Sequence, residues 1–122
     1  IFVQAIAHPV SFHSSQYNRY MPDCIFCKIV SGEIPTHATY ENEFVIAFPD
    51  IHPKTPGHTL VIPKEHHSWF YEVPQELANE WFSAAQFLAL KLKEDHGADY
   101  VQLSIVGKDV PHAHIHLIPK KF

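Results

Sequence analysis

The chain has 122 residues, 46% of them apolar, and a formal net charge of −4. This is one domain with enough apolar material for a core. It has no run of about 18 apolar residues to span a bilayer, and no basic excess to grip nucleic acid. Two cysteines cannot build a disulfide framework. Eleven histidines point instead to a site rich in imidazole, the commonest metal ligand and the natural acid, base or nucleophile at neutral pH.

Residues 1–7 are weakly apolar and residues 13–20 are polar. Without a basic start or a long apolar run, the segment fits a secretory leader poorly, and we expect a cytoplasmic protein. Met21 opens a more strongly patterned region. We therefore read 21–122 as the domain and 1–20 as an upstream or vector-derived extension, the alternative being an N-terminal arm. The run Cys24-Ile25-Phe26-Cys27 follows. Its spacing suits half of a tetrahedral metal site or a redox pair, and the βαβ context that would favour a redox pair is missing.

Residues 38–40 and 44–48 read as strands around a turn at Glu41-Asn42-Glu43. Residues 50–57 contain Pro53, Pro56 and Gly57 and form a loop, and 59–63 is a buried strand. Pro74 suits the first turn of a helix and Gly97 its stop. Between them Leu77, Trp81, Ala84, Leu88 and Leu92 recur at helical spacing, and Lys91 and Lys93 suit the negative end of the dipole. Two more strands follow, near 100–106 and 112–118. In the first, Val101, Leu103 and Ile105 are expected on the core face, with Gln102 and Ser104 on the polar face. Gly107 and its neighbours form a turn that could cradle an anion with backbone N–H groups.

The last strand carries the chemistry. In His112-Ala113-His114-Ile115-His116-Leu117-Ile118 the residues alternate strictly, so a strand places the three histidines on one face and Ala113, Ile115 and Leu117 on the other. In a helix the same positions would scatter. The apolar face is expected to pack on the helix while the imidazoles line a cleft.

His112-x-His114-x-His116 followed by apolar residues resembles the signature of the histidine-triad (HIT) family. Cys24-Ile-Phe-Cys27-Lys-Ile, Phe48-Pro49-Asp50-Ile51 and the run from Gly57-His58 to Pro63-Lys64-Glu65-His66 resemble other family segments in the right order, most like the Hint-type bacterial branch. The resemblance implies an α+β fold: an antiparallel sheet, one long helix, a short N-terminal helix, and usually a two-fold homodimer. It implies attack on the α-phosphorus of a purine nucleoside phosphoramidate or similar conjugate through a nucleotidyl-histidine intermediate. His114 would be the nucleophile, His116 the donor to the phosphoryl oxygens and His58 their support. Ile25, Phe26, Ile29, Phe48 and Ile51 would hold the purine, and Asp50 the ribose hydroxyls, which a carboxylate accepts well.

A structural zinc ion is also implied, on Cys24, Cys27, His66 and His112, with His67 the rival to His66. The sequence departs from the branch at Gly107-Lys108-Asp109-Val110, where Lys108 stands for a glutamine and Asp109 for a hydroxyl residue. A carboxylate there repels a phosphate. Ser104, Gly107 and Lys108 remain the candidates for phosphate contact. Dinucleoside polyphosphate hydrolysis, nucleotide-dependent regulation with vestigial turnover, and a zinc-binding interaction domain stay open as alternatives.

Overall fold

A computed structural model describes residues 19–122, so the readings of residues 1–18 lie outside the described residues. Helix α1 (Ile25–Ser31) is followed by β1 (Tyr40–Glu41), β2 (Val45–Pro49), β3 (Thr59–Pro63), a 3-10 turn (Phe70–Glu72), α2 (Gln75–Asp95), β4 (Tyr100–Ser104) and β5 (Ile115–Lys120). The strands form one antiparallel sheet in the order β1-β2-β3-β5-β4. The fold is therefore α+β, with the antiparallel sheet, long helix and short N-terminal helix expected. No helix among the described residues is long and apolar enough to cross a membrane.

Strand alternation sorts the core into two layers. On one face of the sheet Val45, Ala47, Val61, Ile115 and Leu117 pack against Leu77, Trp81, Ala84, Ala85 and Leu88 of α2. The helical stripe is thus buried where its spacing placed it, with Leu92 partly buried at the end. Trp81 is wholly buried and its Nε1–H donates to the Val61 carbonyl at 2.8 Å. An indole so placed contributes both apolar burial and a satisfied donor, and it pins the helix across the central strand.

On the other face Ile46, Phe48, Leu60 and Ile62 pack against Cys24, Phe26 and Cys27. Helix α1 closes that side. Its start is capped by the Cys24 sulfur, which accepts from the Cys27 N–H, and its end by Gly32 at φ 88°. Arg19 and Tyr20, just before Met21, are also held. The Arg19 carbonyl accepts the His66 N–H at 3.0 Å, and the Tyr20 hydroxyl donates to Glu33.

Glu41, expected in the turn, instead ends β1 and pairs with Ile46. Two further expectations are corrected. The first is the histidine strand, which joins the ladder at Ile115 and not at His112. Its pairing with β3 ends at Val61↔Ile115. Further along β3, Pro63 has no N–H to offer, and its carbonyl accepts from the His112 side chain at 2.8 Å. The amides just before the strand find other partners: Ala113 donates to His67 and His112 to Val110, each at 2.7 Å. Alternation of the side chains nevertheless persists through this extended segment, because Ala113 packs with the α2 layer while His112 and His114 face Phe26.

The second correction concerns Leu103. Val101 and Ile105 pack on the core as expected, but Leu103 is 45% exposed, since β4 is the edge strand.

Candidate functional site

Strand register builds the floor of a cleft on the α1 side of the sheet. Phe48 pairs with Leu60, Leu60 with His116, and His116 with Ser104. One transverse row therefore carries an aromatic ring, an aliphatic side chain, an imidazole and a hydroxyl across four strands. The cavity above this row has a volume of about 560 Å³, within the range of small-molecule sites.

Its walls include Ile25, Phe26, Ile29, Phe48 and Ile51, the five residues expected around the base, together with Asp50, His58, Ser104, Gly107, His114 and His116. Lys108 is not among the lining residues, whereas Asp109 is. Among the described residues the cavity also takes in Ile34, Pro35, Thr36, His52, Lys54, Leu60, Val106 and Val110, none of which the sequence had singled out. Leu60 was accessible to the alternation argument, as it shares a face with the row. The 34–36 and 52–54 segments are loops whose approach no local pattern announces. Gly107 sits at φ 79°, and a Cβ there would meet the Trp69 ring at 3.4 Å. Glycine is thus favoured by conformation, while the indole behind it would meet a Cβ only at ordinary contact distance.

Hydrogen bonds assign the ring nitrogens. A carbonyl can only accept, so His114 must donate from Nδ1 to the His112 carbonyl at 2.7 Å. Its Nε2 lone pair is then left unshared. Phe26 lies edge-on to the same ring at 5.1 Å and holds its orientation. A second chain runs through His58. The Lys54 backbone N–H donates to its Nδ1 at 3.0 Å, so the proton of neutral His58 sits on Nε2 and donates to His116 Nδ1 at 2.9 Å. His116 is left with its own proton on Nε2.

Burial lowers the pKa of both His58 and His116, for His116 with help from its neighbours His114 and His58, and against the pull of Asp50. Both shifts favour the neutral rings that the relay needs. Asp50 Oδ2 lies 3.4 Å from His58 Nε2 and 3.9 Å from His116 Nδ1. These three groups converge closely enough to suggest a metal. The Lys54 amide argues against it, since it occupies the nitrogen that would have to carry the proton if Nε2 were a ligand.

Four other groups do suit a metal. The ligand atoms of Cys24, Cys27, His66 and His112, all buried, lie within 4.8 Å of one another. Cys24 Sγ is 3.4 Å from His112 Nδ1, and Cys27 Sγ is 3.4 Å from His66 Nδ1 and 3.6 Å from His112 Nδ1. Tetrahedral zinc with ordinary Zn–S and Zn–N bonds spaces its ligands about 3.3–3.8 Å apart, so the residues fit the ion. His112 donates its Nε2–H to the Pro63 carbonyl, which aims Nδ1 at the sulfurs, the outer-shell contact that metal-binding imidazoles usually have. Burial holds His112 down to about 4, which keeps that nitrogen free of a proton, and pushes the Cys27 thiol up to about 11.

His67 points elsewhere. Its Nε2–H donates to Glu65 Oε1 at 2.6 Å and its Nδ1 faces the Arg19 guanidinium at 3.1 Å. Burial pushes the Glu65 carboxyl up to about 7 against the pull of Arg19, and holds His67 down to about 4.

The HIT-domain profile matches residues 31–122. Protein Hit of Bacillus subtilis is 41% identical over 105 residues, 80% of this chain and 71% of its own. The adenosine 5'-monophosphoramidase HNT1 of Saccharomyces cerevisiae is 40% identical over 102 residues, 80% of this chain and 63% of its own. Among solved structures, a Zn-bound histidine triad family protein from Mycobacterium smegmatis superimposes with a TM-score of 0.75 at 35% identity, covering 81% of this chain and 76% of that one. With the triad on one face of the sheet and these relatives across most of its length, the chain belongs to the histidine-triad family.

Proposed function

We propose that the protein is a nucleotidyl hydrolase acting on a purine nucleoside phosphoramidate or a similar nucleotide conjugate. The observation that carries this reading is the bare Nε2 of His114, whose Nδ1–H is committed to the His112 carbonyl. In the neutral ring that leaves free the nitrogen an imidazole nucleophile needs. The activity named for the yeast relative supplies the substrate class.

The base lies between Ile25, Phe26, Ile29, Phe48 and Ile51, and Asp50 accepts the ribose hydroxyls. His114 Nε2 forms a bond to the α-phosphorus while the P–N bond breaks. The electron pair of that bond goes to the leaving nitrogen, which takes a proton from His116 Nε2–H and departs as an amine. Ser104 and the Gly107 backbone donate to the phosphoryl oxygens, where charge builds in the transition state. Water then attacks phosphorus, its proton returning to His116 Nε2, the P–N bond to His114 breaks with its electron pair going back to Nε2, and the nucleoside monophosphate is released.

Zinc on Cys24, Cys27, His66 and His112 is structural in this reading, with all four positions filled by protein. It holds α1, the loop after β3 and the approach to β5 together. Free cysteines so committed suit a reducing compartment such as the cytoplasm. The bare edge of β4, with exposed Leu103, offers a surface for the two-fold homodimer usual in this branch.

Mass spectrometry of protein mixed with adenosine 5'-phosphoramidate and quenched in mild base tests the proposal. A nucleotidyl adduct on His114 is expected. Turnover with the adduct on another residue, or no turnover, overturns it.

A further inference from the structure

The cavity carries charge unevenly. Lys54 is the one lysine among its described lining residues, and it adds positive potential at His58 and His116, where an α-phosphate would lie. Asp50 is taken by the ribose in the reading above. Asp109 is left over. It lines the same cavity from the loop between β4 and β5, is exposed to solvent, and has no role in holding nucleoside or phosphate in that reading. Lys108, the cation beside it in sequence, does not line the cavity. With the base on the apolar wall, the α-phosphorus at His114 and Lys54 facing the phosphate, the departing group is left the stretch of lining that Val106 and Asp109 form beyond Gly107, where the charged side chain is a carboxylate.

We propose that Asp109 selects the leaving group by charge, so that the preferred substrates are phosphoramidates whose amine carries a second positive charge, as in an alkyl diamine. Conjugates whose leaving group is a phosphate chain are disfavoured. The inference rests on the phosphoramidase reading and deepens it. The bond changes are those already described, and only the charge carried by the departing amine differs. Opposite unit charges across a half-open, partly hydrated cavity change a rate or an affinity by about tenfold.

The test compares adenosine 5'-phosphoramidates of 1,4-diaminobutane and of butylamine. The wild type should show kcat/KM about tenfold higher for the diamine conjugate, and the advantage should shrink as salt is added. The near-isosteric Asp109→Asn should bring the ratio close to one, and should raise the relative rate on a dinucleoside triphosphate. Equal rates in the wild type, or a preference that survives Asp109→Asn, overturn the proposal. The same ratio is read without turnover as Kd values in His114→Asn. Should the wild type cleave neither conjugate, the phosphoramidase reading fails, while the Kd ratio still decides whether Asp109 discriminates by charge.

Discussion

An imidazole has two nitrogens, and at each member of the triad the partner of one fixes the use of the other. His112 donates from Nε2 to Pro63 and offers Nδ1 to the cysteines. His114 donates from Nδ1 and keeps Nε2 bare. His116 accepts at Nδ1 from His58 and keeps a proton on Nε2. Three neighbours on one face thus become a ligand, a nucleophile and a donor. That they share a face was legible in their alternation. Their tautomers were not, because Pro63 and the Lys54 amide arrive from distant parts of the chain. His114→Asn keeps polarity and reach but removes the nucleophile. Its turnover should fall by at least about three orders of magnitude, while calorimetry should find nucleotide affinity within about threefold of wild type. Retention of more than about a tenth of the turnover, a loss of only ~1.4 kcal/mol, would remove His114 from its assigned role.

Elements differ in how plainly the sequence announces them. Helix α2 runs from Gln75 to Asp95, inside the bounds set by Pro74 and Gly97, since cap, stripe and stop all agreed. β3 matches its apolar run residue for residue. The segment before β5 misled because alternation reports which way side chains point and not whether backbone groups are paired. The metal ligands were legible only in half, the cysteine pair being local and the two histidines coming from 39 and 85 residues beyond Cys27. Bringing such distant points together costs loop-closure entropy, which metal binding offsets as folding free energy. Metal analysis should therefore find about one zinc per chain. Cys27→Ser should lose it and lower the thermal midpoint by about 4 °C or more. Full zinc occupancy in that variant would displace Cys27 from the ligand set.

Among the described residues, the triad and the histidines of the metal cluster lie on one side of the sheet. α2 covers one face of the sheet with apolar contacts, while the imidazoles gather on the other beneath α1. Burial lowers the pKa of His58, His66, His67, His112 and His116. Below about pH 6.5, the ordinary histidine value, the unfolded chain takes up protons that the folded one refuses, so stability is present above that pH and is lost as pH falls. Glu65, raised to about 7, works with the opposite sign, being relatively stabilising as pH falls toward its ordinary value near 4.5, but it is one group against five. Urea midpoints should therefore be highest above about pH 7 and clearly lower at about pH 5. A midpoint that is flat or rises on acidification would contradict the burial of these rings.

The chain has two tryptophans, and their placement divides the labour of an optical probe. Trp81 is sealed between α2 and β3, with no exposure at all, while Trp69 is 38% exposed with its ring beneath Gly107. Acrylamide should quench the emission of Trp69 and leave that of Trp81 until the protein unfolds. A nucleotide settling against Gly107 should shift the quenchable fraction alone. Intrinsic fluorescence then yields two separate signals without a label, one for occupancy of the cavity and one for integrity of the core. Trp69→Phe should silence the first and keep the second.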